Sequence, residues 1–83
     1  MSKILKLSAQ WCAPCATMDV QLQTLGTDYE SLVEHIDIDK TPDIAKQYGI
    51  RSIPTLIKLD DSGKEVGRSV GSLTLVKLAA FIK

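Results

Sequence analysis

The sequence predicts an α/β fold in which a four-stranded mixed sheet is flanked by helices. Short, bounded apolar runs alternate along the chain with longer runs whose apolar residues recur at helical spacing. The predicted order of elements is βαβ, then a helix, then ββα. A helix between two strands indicates a right-handed parallel crossover, and the later pair of strands indicates a hairpin. With 83 residues, the chain is expected to form a single domain over residues 1–83.

The first half of the chain predicts the parallel unit. Residues 3–8 form a short apolar run, which indicates a strand. Residues 13–25 have apolar residues at helical spacing, and Pro14 suits the first helical turn, where its missing N–H costs no hydrogen bond. Gly26 can end this helix. Residues 32–38 are rich in β-branched residues and predict the second strand.

The second half predicts a helix, a hairpin and a final helix. Thr41 followed by Pro42 is typical of an N-cap and the first helical position, and this helix is expected to stop at Gly49. Residues 54–59 and 64–70 predict antiparallel strands, because a polar, glycine-containing turn separates them. The final helix follows a Gly-Ser pair and has one apolar face, formed by Leu75, Leu78, Ala79 and Ile82.

Composition argues against several classes of protein. Hydrophobic residues make up 45% of the chain, which suits a packed core and not a disordered chain. Ten basic and ten acidic residues balance, so charge gives no reason to expect binding to nucleic acid or to an anionic membrane. No apolar run approaches the roughly 20 residues that cross a bilayer, and no signal peptide is visible. We therefore expect a cytoplasmic monomer that binds neither nucleic acid nor membrane.

The motif Trp-Cys-Ala-Pro-Cys at residues 11–15 contains the only two cysteines of the chain. It lies between a predicted strand and the start of a predicted helix. A helix N-terminus stabilises negative charge, so a thiol there ionises more readily than a free thiol. The thiolate is the attacking species in disulfide exchange, and a second thiol nearby can resolve the mixed disulfide. The motif therefore predicts thiol–disulfide redox chemistry by Cys12 and Cys15.

Two other interpretations of the cysteine pair remain open. A zinc or iron–sulfur site needs two further ligands, and His35 is the only histidine, so a Cys/His zinc site would require a second chain. A purely structural disulfide would close a very small loop, worth on the order of 2 kcal/mol in the chain-entropy model. We expect no metal at the pair. The chain has no glycine-rich dinucleotide fingerprint, so we also expect no such cofactor.

Several motifs together resemble the thioredoxin family in their order and spacing. They are Trp-Cys-Ala-Pro-Cys at 11–15, Asp-Ile-Asp at 37–39, Tyr-Gly-Ile-Arg-Ser-Ile-Pro-Thr at 48–55, Gly-Lys-Glu-Val at 63–66 and Val-Gly at 70–71. The resemblance covers nearly the whole chain and implies a thioredoxin-like α/β fold. The chain resembles the short members of the family, which lack an N-terminal strand and helix.

The resemblance implies a role for each of these motifs. Cys12 would be the exposed nucleophile and Cys15 the buried thiol that resolves the mixed disulfide. The Ile53–Pro54 peptide bond would be cis, with the backbone of Ile53 pairing with an extended substrate segment. The residues alone also allow a simpler interpretation. Pro54 would then be a proline at the start of a strand, and Ile53 would be an ordinary packed side chain. The other residues that would shape the site are Trp11, Ala13, Pro14 and Gly71.

The implied activity is that of a protein dithiol–disulfide oxidoreductase that reduces protein disulfides. Its electron donor would be a thioredoxin reductase, and ribonucleotide reductase is one candidate substrate. One alternative is a glutaredoxin-like enzyme coupled to glutathione, although Ala13 stands where glutaredoxins have proline. The other alternative is a binding subunit that docks on a partner protein and makes little use of its thiols.

Lys6 is the main departure from the family pattern. Family members usually carry a buried aspartate at this position, and it is thought to take the proton of the resolving thiol. A charged lysine cannot do so, and we expect Lys6 to reach solvent along its aliphatic stem. The alternative is that its charge stabilises a nearby thiolate. His35 is expected on the neighbouring strand near Lys6, as a surface residue or, by hypothesis, as the proton acceptor.

Two smaller departures lie in the predicted first helix. Ala13 stands between the cysteines where glycine is usual, which would influence the redox potential. Val20 replaces a proline of the family pattern, which leaves the usual helix kink in doubt.

Overall fold

The computed structural model describes residues 3–83, so the first two residues of the predicted domain lie outside the described part. Its elements follow the order β1-α1-α2-β2-α3-β3-β4-α4. The strands are β1 (Lys3–Ser8), β2 (Val33–Asp37), β3 (Thr55–Leu59) and β4 (Glu65–Val70). The helices are α1 (Ala13–Leu25), α2 (Thr27–Glu30), α3 (Pro42–Tyr48) and α4 (Leu75–Ile82). None of these helices is long and apolar enough to span a membrane.

The four strands form one mixed sheet in the order β2-β1-β3-β4. Strand β1 pairs in parallel with β2, with Lys6 opposite His35. It pairs antiparallel with β3, which in turn pairs antiparallel with β4. The predicted four-stranded mixed sheet is therefore confirmed, and β1 is one of its two central strands.

Helices cover the sheet on both faces. Side chains alternate along a strand, so β1 contributes to two separate apolar clusters. Ile4 packs in a cluster on the face covered by α1 and α4, together with Met18, Leu22, Leu56, Leu78 and Ile82. Leu5 and Leu7 pack on the opposite face, where α3 contributes Ile44 and Tyr48. A polar side chain in the middle of β1 is therefore covered by a helix and shielded from solvent, whichever face of the sheet it points to.

The sequence did not predict α2, a single turn directly after Gly26. Gly26 has φ 97, in the region that favours glycine, and its carbonyl accepts hydrogen bonds from the amides of Tyr29 and Glu30. A helix of four residues is too short for apolar periodicity to reveal it. Helix α1, in contrast, runs without interruption from Ala13 to Leu25, including the position of Val20.

The predicted helix start at Thr41 is correct in position but not in its capping interaction. Thr41 is the N-cap residue of α3, yet its side chain accepts no capping hydrogen bond. Its Oγ1 instead donates to the carbonyl oxygen of Asp37 at 2.8 Å. This bond joins the start of α3 to the end of β2, at the same end of the sheet as the cysteine motif. The helix ends as predicted at Gly49, which adopts the left-handed conformation.

The β3–β4 hairpin is held at its turn by Asp60. One carboxylate oxygen, Oδ1, accepts hydrogen bonds from the amides of Ser62 and Lys64 and from the Ser62 hydroxyl. These bonds, the Ser62 hydroxyl first among them, hold the pKa of Asp60 below its usual value. At the open end of the hairpin, the Gly71 amide donates to the Pro54 carbonyl at 2.8 Å. The hairpin thus brings these two residues together.

Candidate active site

Cys12 and Cys15 are joined by a disulfide at the start of α1, with their Cα atoms 5.2 Å apart. Cys12 is the N-cap residue, and its Sγ accepts a hydrogen bond from the Cys15 amide at 3.2 Å. An amide donor and the positive end of the helix both favour negative charge on this sulfur. The first turn of α1 carries no acidic residue that would oppose this effect. Cys12 therefore has the environment of an ionisable thiol once the disulfide is reduced.

Cys12 is less accessible than the resemblance implies. It is 6% exposed and Cys15 is 2% exposed, so both are buried in the disulfide form. The expectation of an exposed nucleophile is wrong for this form, because Ala9, Ile38 and Ile53 pack around the pair. Cys12 is nevertheless the more accessible of the two cysteines. The neighbouring Trp11, Ala13 and Pro14 are exposed and form a rim beside the pair.

Trp11 is fixed at this rim by a partner that the sequence did not assign to the site. Its ring is 71% exposed, and its Nε1 donates a hydrogen bond to Asp39 Oδ2 at 2.9 Å. Trp11 borders a groove of about 330 Å³ that is otherwise lined by Ile38, Ala45, Ile50, Arg51, Ser52 and Ile53. Asp39 lies in the Asp-Ile-Asp motif, which was the available signal for its role.

Pro54 and Gly71 lie together at the open end of the β3–β4 hairpin. The Ile53–Pro54 peptide bond is cis, as the resemblance implies. Pro54 is buried, whereas Ile53 is half-buried and packs against the cysteine cluster. Gly71 has φ 92, and a Cβ built there would meet no atom within 4 Å. Its backbone conformation therefore favours glycine, and the space beside it is open.

Lys6 lies in the interior, so the expectation that it reaches solvent is wrong. Its side chain is 1% exposed, because it points from central strand β1 toward the face that α1 covers. Its Nζ lies 2.8 Å from Asp19 Oδ1, and His35 Nδ1 lies 3.5 Å from the same oxygen. His35 is 44% exposed, as expected for a residue at the edge of the sheet, and it lies close to Lys6 as predicted.

Asp19 is a residue that the sequence reasoning missed. It is the only charged residue of α1, and it lies next to the buried stripe formed by Cys15, Met18 and Leu22. Its Oδ1 is buried and accepts no hydrogen bond of good geometry within residues 3–83, so its contact with Lys6 is an ion pair. The available signal was an acidic residue on the inward side of an otherwise uncharged helix, one turn after a cysteine.

No group of three or more His, Cys, Asp or Glu side chains is placed to hold a metal ion in the described part of the chain. The side chains gathered around Cys12 and Cys15 are apolar or form the rim. The arrangement is thus suited to thiol chemistry between two sulfur atoms beside an apolar groove.

Residues 2–83 match the family model for thioredoxin. The chain belongs to the thioredoxin family. A thioredoxin of Chlorobaculum thiosulfatiphilum is 42% identical to it over 67 residues, which are 78% of this chain and 61% of that protein. A thioredoxin of Chlamydia caviae is 47% identical over 64 residues, 76% of this chain and 62% of that protein. The chain thus spans less than two thirds of the length of these relatives.

Solved thioredoxin structures have the same fold as this chain. The reduced thioredoxin pre-protein of Schistosoma mansoni superposes with a TM-score of 0.84 at 30% identity, over 98% of this chain and 75% of that one. A mutant thioredoxin of Halobacterium salinarum gives a TM-score of 0.84 at 32% identity, over 98% and 71% of the two chains. The thioredoxin-like α/β fold class is therefore confirmed.

Proposed function

We propose that this thioredoxin-family protein is a protein dithiol–disulfide oxidoreductase that reduces protein disulfides. The observation that carries the proposal is the Cys12–Cys15 disulfide at the N-terminus of α1, beside an exposed tryptophan and a cis-proline. A pair that closes this disulfide can also donate two electrons when it is reduced. Family membership over residues 2–83 supports the same conclusion.

The reaction proceeds in two exchanges. The Cys12 thiolate attacks a substrate disulfide, forms a mixed disulfide and releases the first substrate thiolate. Cys15 then attacks Cys12 Sγ, which releases the second substrate thiolate and closes the Cys12–Cys15 disulfide. The substrate disulfide gains two electrons and the cysteine pair loses two. The amide of Cys15 and the N-terminus of α1 stabilise the thiolate on Cys12 in the first exchange.

The substrate segment docks in an extended conformation across the rim. The backbone of Ile53 pairs with it, Trp11 and Pro14 contact its side chains, and the open space beside Gly71 accommodates it. Main-chain hydrogen bonds are the same for every sequence, so this form of docking suits an enzyme that accepts many protein disulfides. Ala13 lies between the two cysteines in the sequence and influences the redox potential.

The partners follow from the family. A thioredoxin reductase that draws on NADPH regenerates the reduced pair, and ribonucleotide reductase is a candidate substrate. The protein acts in the cytoplasm as a monomer, without a cofactor of its own and without binding nucleic acid or membrane. Balanced charge supports the absence of nucleic-acid binding, since it provides no excess of basic residues for phosphates.

Turnover of insulin disulfides tests the proposal. Wild type, Cys12→Ser and Cys15→Ser are each supplied with NADPH plus thioredoxin reductase, and separately with glutathione plus glutathione reductase. We expect turnover with the first system alone and none in either variant, with Cys15→Ser accumulating a mixed disulfide. Substitution of the exposed Ser72 by Ala is the control and leaves turnover unchanged.

Each other outcome points to a different function. Turnover with glutathione alone assigns the protein to the glutaredoxin-like alternative. Turnover that survives in Cys12→Ser removes the thiol mechanism altogether. No turnover with either donor, together with partner binding that persists in the Cys12→Ser/Cys15→Ser double variant, assigns it to the binding-subunit alternative.

A further inference from the structure

The second exchange of the proposed reaction requires a proton acceptor for Cys15. Reduction of the disulfide leaves Cys15 as a thiol that is 2% exposed and packed with Ala9, Ile38 and Ile53. Apolar surroundings disfavour the thiolate, yet only the thiolate attacks. The acceptor must lie within hydrogen-bond reach of the sulfur or one water molecule away from it.

Asp19 is positioned to be this acceptor. It lies four residues after Cys15 on the same side of α1, and residues at this spacing have Cβ atoms about 5–6 Å apart. Helical side chains lean toward the helix N-terminus, so the Asp19 carboxylate leans back toward Cys15. Its Oδ1 is buried and lacks a hydrogen bond of good geometry within residues 3–83, whereas the side chain as a whole is 44% exposed. The carboxylate therefore links the interior to solvent.

The charged groups around Asp19 hold it in this position. Lys6 Nζ, on central strand β1, lies 2.8 Å from Asp19 Oδ1. His35 Nδ1, on edge strand β2, lies 3.5 Å from the same oxygen. Two other basic residues lie on elements next to α1. Lys58 of β3 donates a hydrogen bond to the Phe81 carbonyl, and Lys77 of α4 is exposed. A buried ammonium is rare unless it is paired, so Lys6 and Asp19 stay together in the folded protein.

We propose that Asp19 accepts the proton of Cys15 in the resolving step and that Lys6 is the residue that positions its carboxylate. This inference rests on the proposed oxidoreductase function. The Cys15 proton passes to Asp19 directly or through one water molecule, and Cys15 Sγ attacks Cys12 Sγ. The Cys12–Cys15 bond forms as the bond from Cys12 to the substrate sulfur breaks, and the substrate thiolate leaves with the electron pair. Asp19 then releases its proton to solvent on its exposed side.

The two exchanges can be timed separately with 5,5′-dithiobis(2-nitrobenzoate). Reduced protein in excess releases one coloured thiolate when Cys12 attacks this disulfide and a second when Cys15 resolves the mixed disulfide. The first phase therefore reports on Cys12 and the second on Cys15. A residue that serves Cys15 affects the second phase alone.

The variants are chosen so that a folding defect is not mistaken for a chemical one. Asp19→Asn by itself leaves a buried ammonium without its partner and can prevent folding. The comparison is therefore between Lys6→Met, which retains the carboxylate without the buried charge, and Lys6→Met/Asp19→Asn. Asp43→Asn, an exposed carboxylate on α3, is the matched control.

We expect Asp43→Asn to leave the second phase unchanged at pH 7, since it keeps both Asp19 and Lys6. Lys6→Met keeps the acceptor but loses the residue that positions it, and it is expected to slow the second phase by about threefold. The double variant is expected to slow it by at least about tenfold, with the first phase unchanged, because a general base contributes at least this much. Raising the pH from 7 to 9 should restore the second phase of the double variant, since hydroxide then removes the proton.

Four results overturn the proposal for Asp19. The first is an equal rate of the second phase in Lys6→Met and in the double variant. The second and third concern the double variant: a first phase slowed as much as the second, or a slow second phase that does not recover at high pH. The fourth is a second phase that is slowed more by His35→Gln than by the double substitution. The last would make His35 the acceptor. A wild-type protein that releases no second thiolate would contradict the proposed function itself, so the two failures are distinguishable.

Discussion

At the scale of single residues, Trp11 illustrates how an exposed side chain is held ready for binding. Its indole donates to Asp39 Oδ2, and the Asp39 amide in turn donates to Asp37 Oδ1, both at 2.9 Å. The ring is thus connected to the end of β2 although 71% of its surface is exposed. A ring that is already ordered loses little conformational entropy when a substrate covers it.

Asp39→Ala should loosen this ring and weaken docking. Loss of one exposed, charge-assisted hydrogen bond is worth about 1 kcal/mol, so kcat/KM for insulin should fall about fivefold. The fluorescence anisotropy of Trp11, the single tryptophan of the chain, should fall as well. The first thiolate release from 5,5′-dithiobis(2-nitrobenzoate) should not change, because this small disulfide does not need the rim. An unchanged anisotropy, or an equal loss in the control Asp43→Ala, would contradict this explanation.

At the scale of elements, α1 both presents the cysteines and anchors them to the sheet. Its first turn carries the disulfide, and its buried residues Met18 and Leu22 pack on the face shared with α4. The opposite side of the same helix is solvated, with Val20 61% exposed. The position of the site therefore depends on the packing of one helix side.

Leu22→Ala should destabilise the protein far more than Val20→Ala. Leu22 is fully buried, and truncation of a buried leucine costs about 2–5 kcal/mol through lost burial and the cavity left behind. Val20→Ala should change the free energy of unfolding by less than about 0.5 kcal/mol, since the side chain is exposed. Urea unfolding of the oxidised proteins measures both values. Similar midpoints for the two variants would show that α1 does not anchor the fold in this way.

At the scale of the whole molecule, the two apolar clusters share β1 and β3, so neither helix layer packs independently of the sheet. The Cα radius of gyration is 11.8 Å, close to the roughly 12 Å of a compact domain of this length. A chain this short buries only about 60–65% of the surface that it exposes when unfolded, which leaves little spare stability. These features support the proposal of one domain.

The protein should therefore unfold in a single cooperative step. The far-UV circular dichroism and the fluorescence of Trp11 should give the same urea midpoint, because the site and the sheet lose their structure together. The midpoint should not change with protein concentration, as expected for a monomer. Two separate transitions would indicate a second folding unit, and a midpoint that rises with concentration would indicate association.

Local patterns in the sequence predicted the strands, the longer helices and the cysteine motif. Helical and strand periodicity and the residues at helix ends act over a few neighbours, so residues 3–8 and 13–25 coincide with β1 and α1. The fold class followed from the order of these elements. Helix α2 escaped prediction because a single turn has no periodicity. Family resemblance, and not spacing, supplied the cis bond before Pro54.

The sequence by itself determined the order of the strands and the longer helices and the two cysteines at a helix start, since each depends on residues close together in the chain. Only the tertiary structure decided the surroundings of Lys6. Whether a lysine on a strand reaches solvent depends on which side of the sheet it faces and on what covers that side. Packing of α1 on the central strand buries Lys6 and brings Asp19 to it. The interaction of these two residues is non-local, so it exists only once the helix is folded against the sheet.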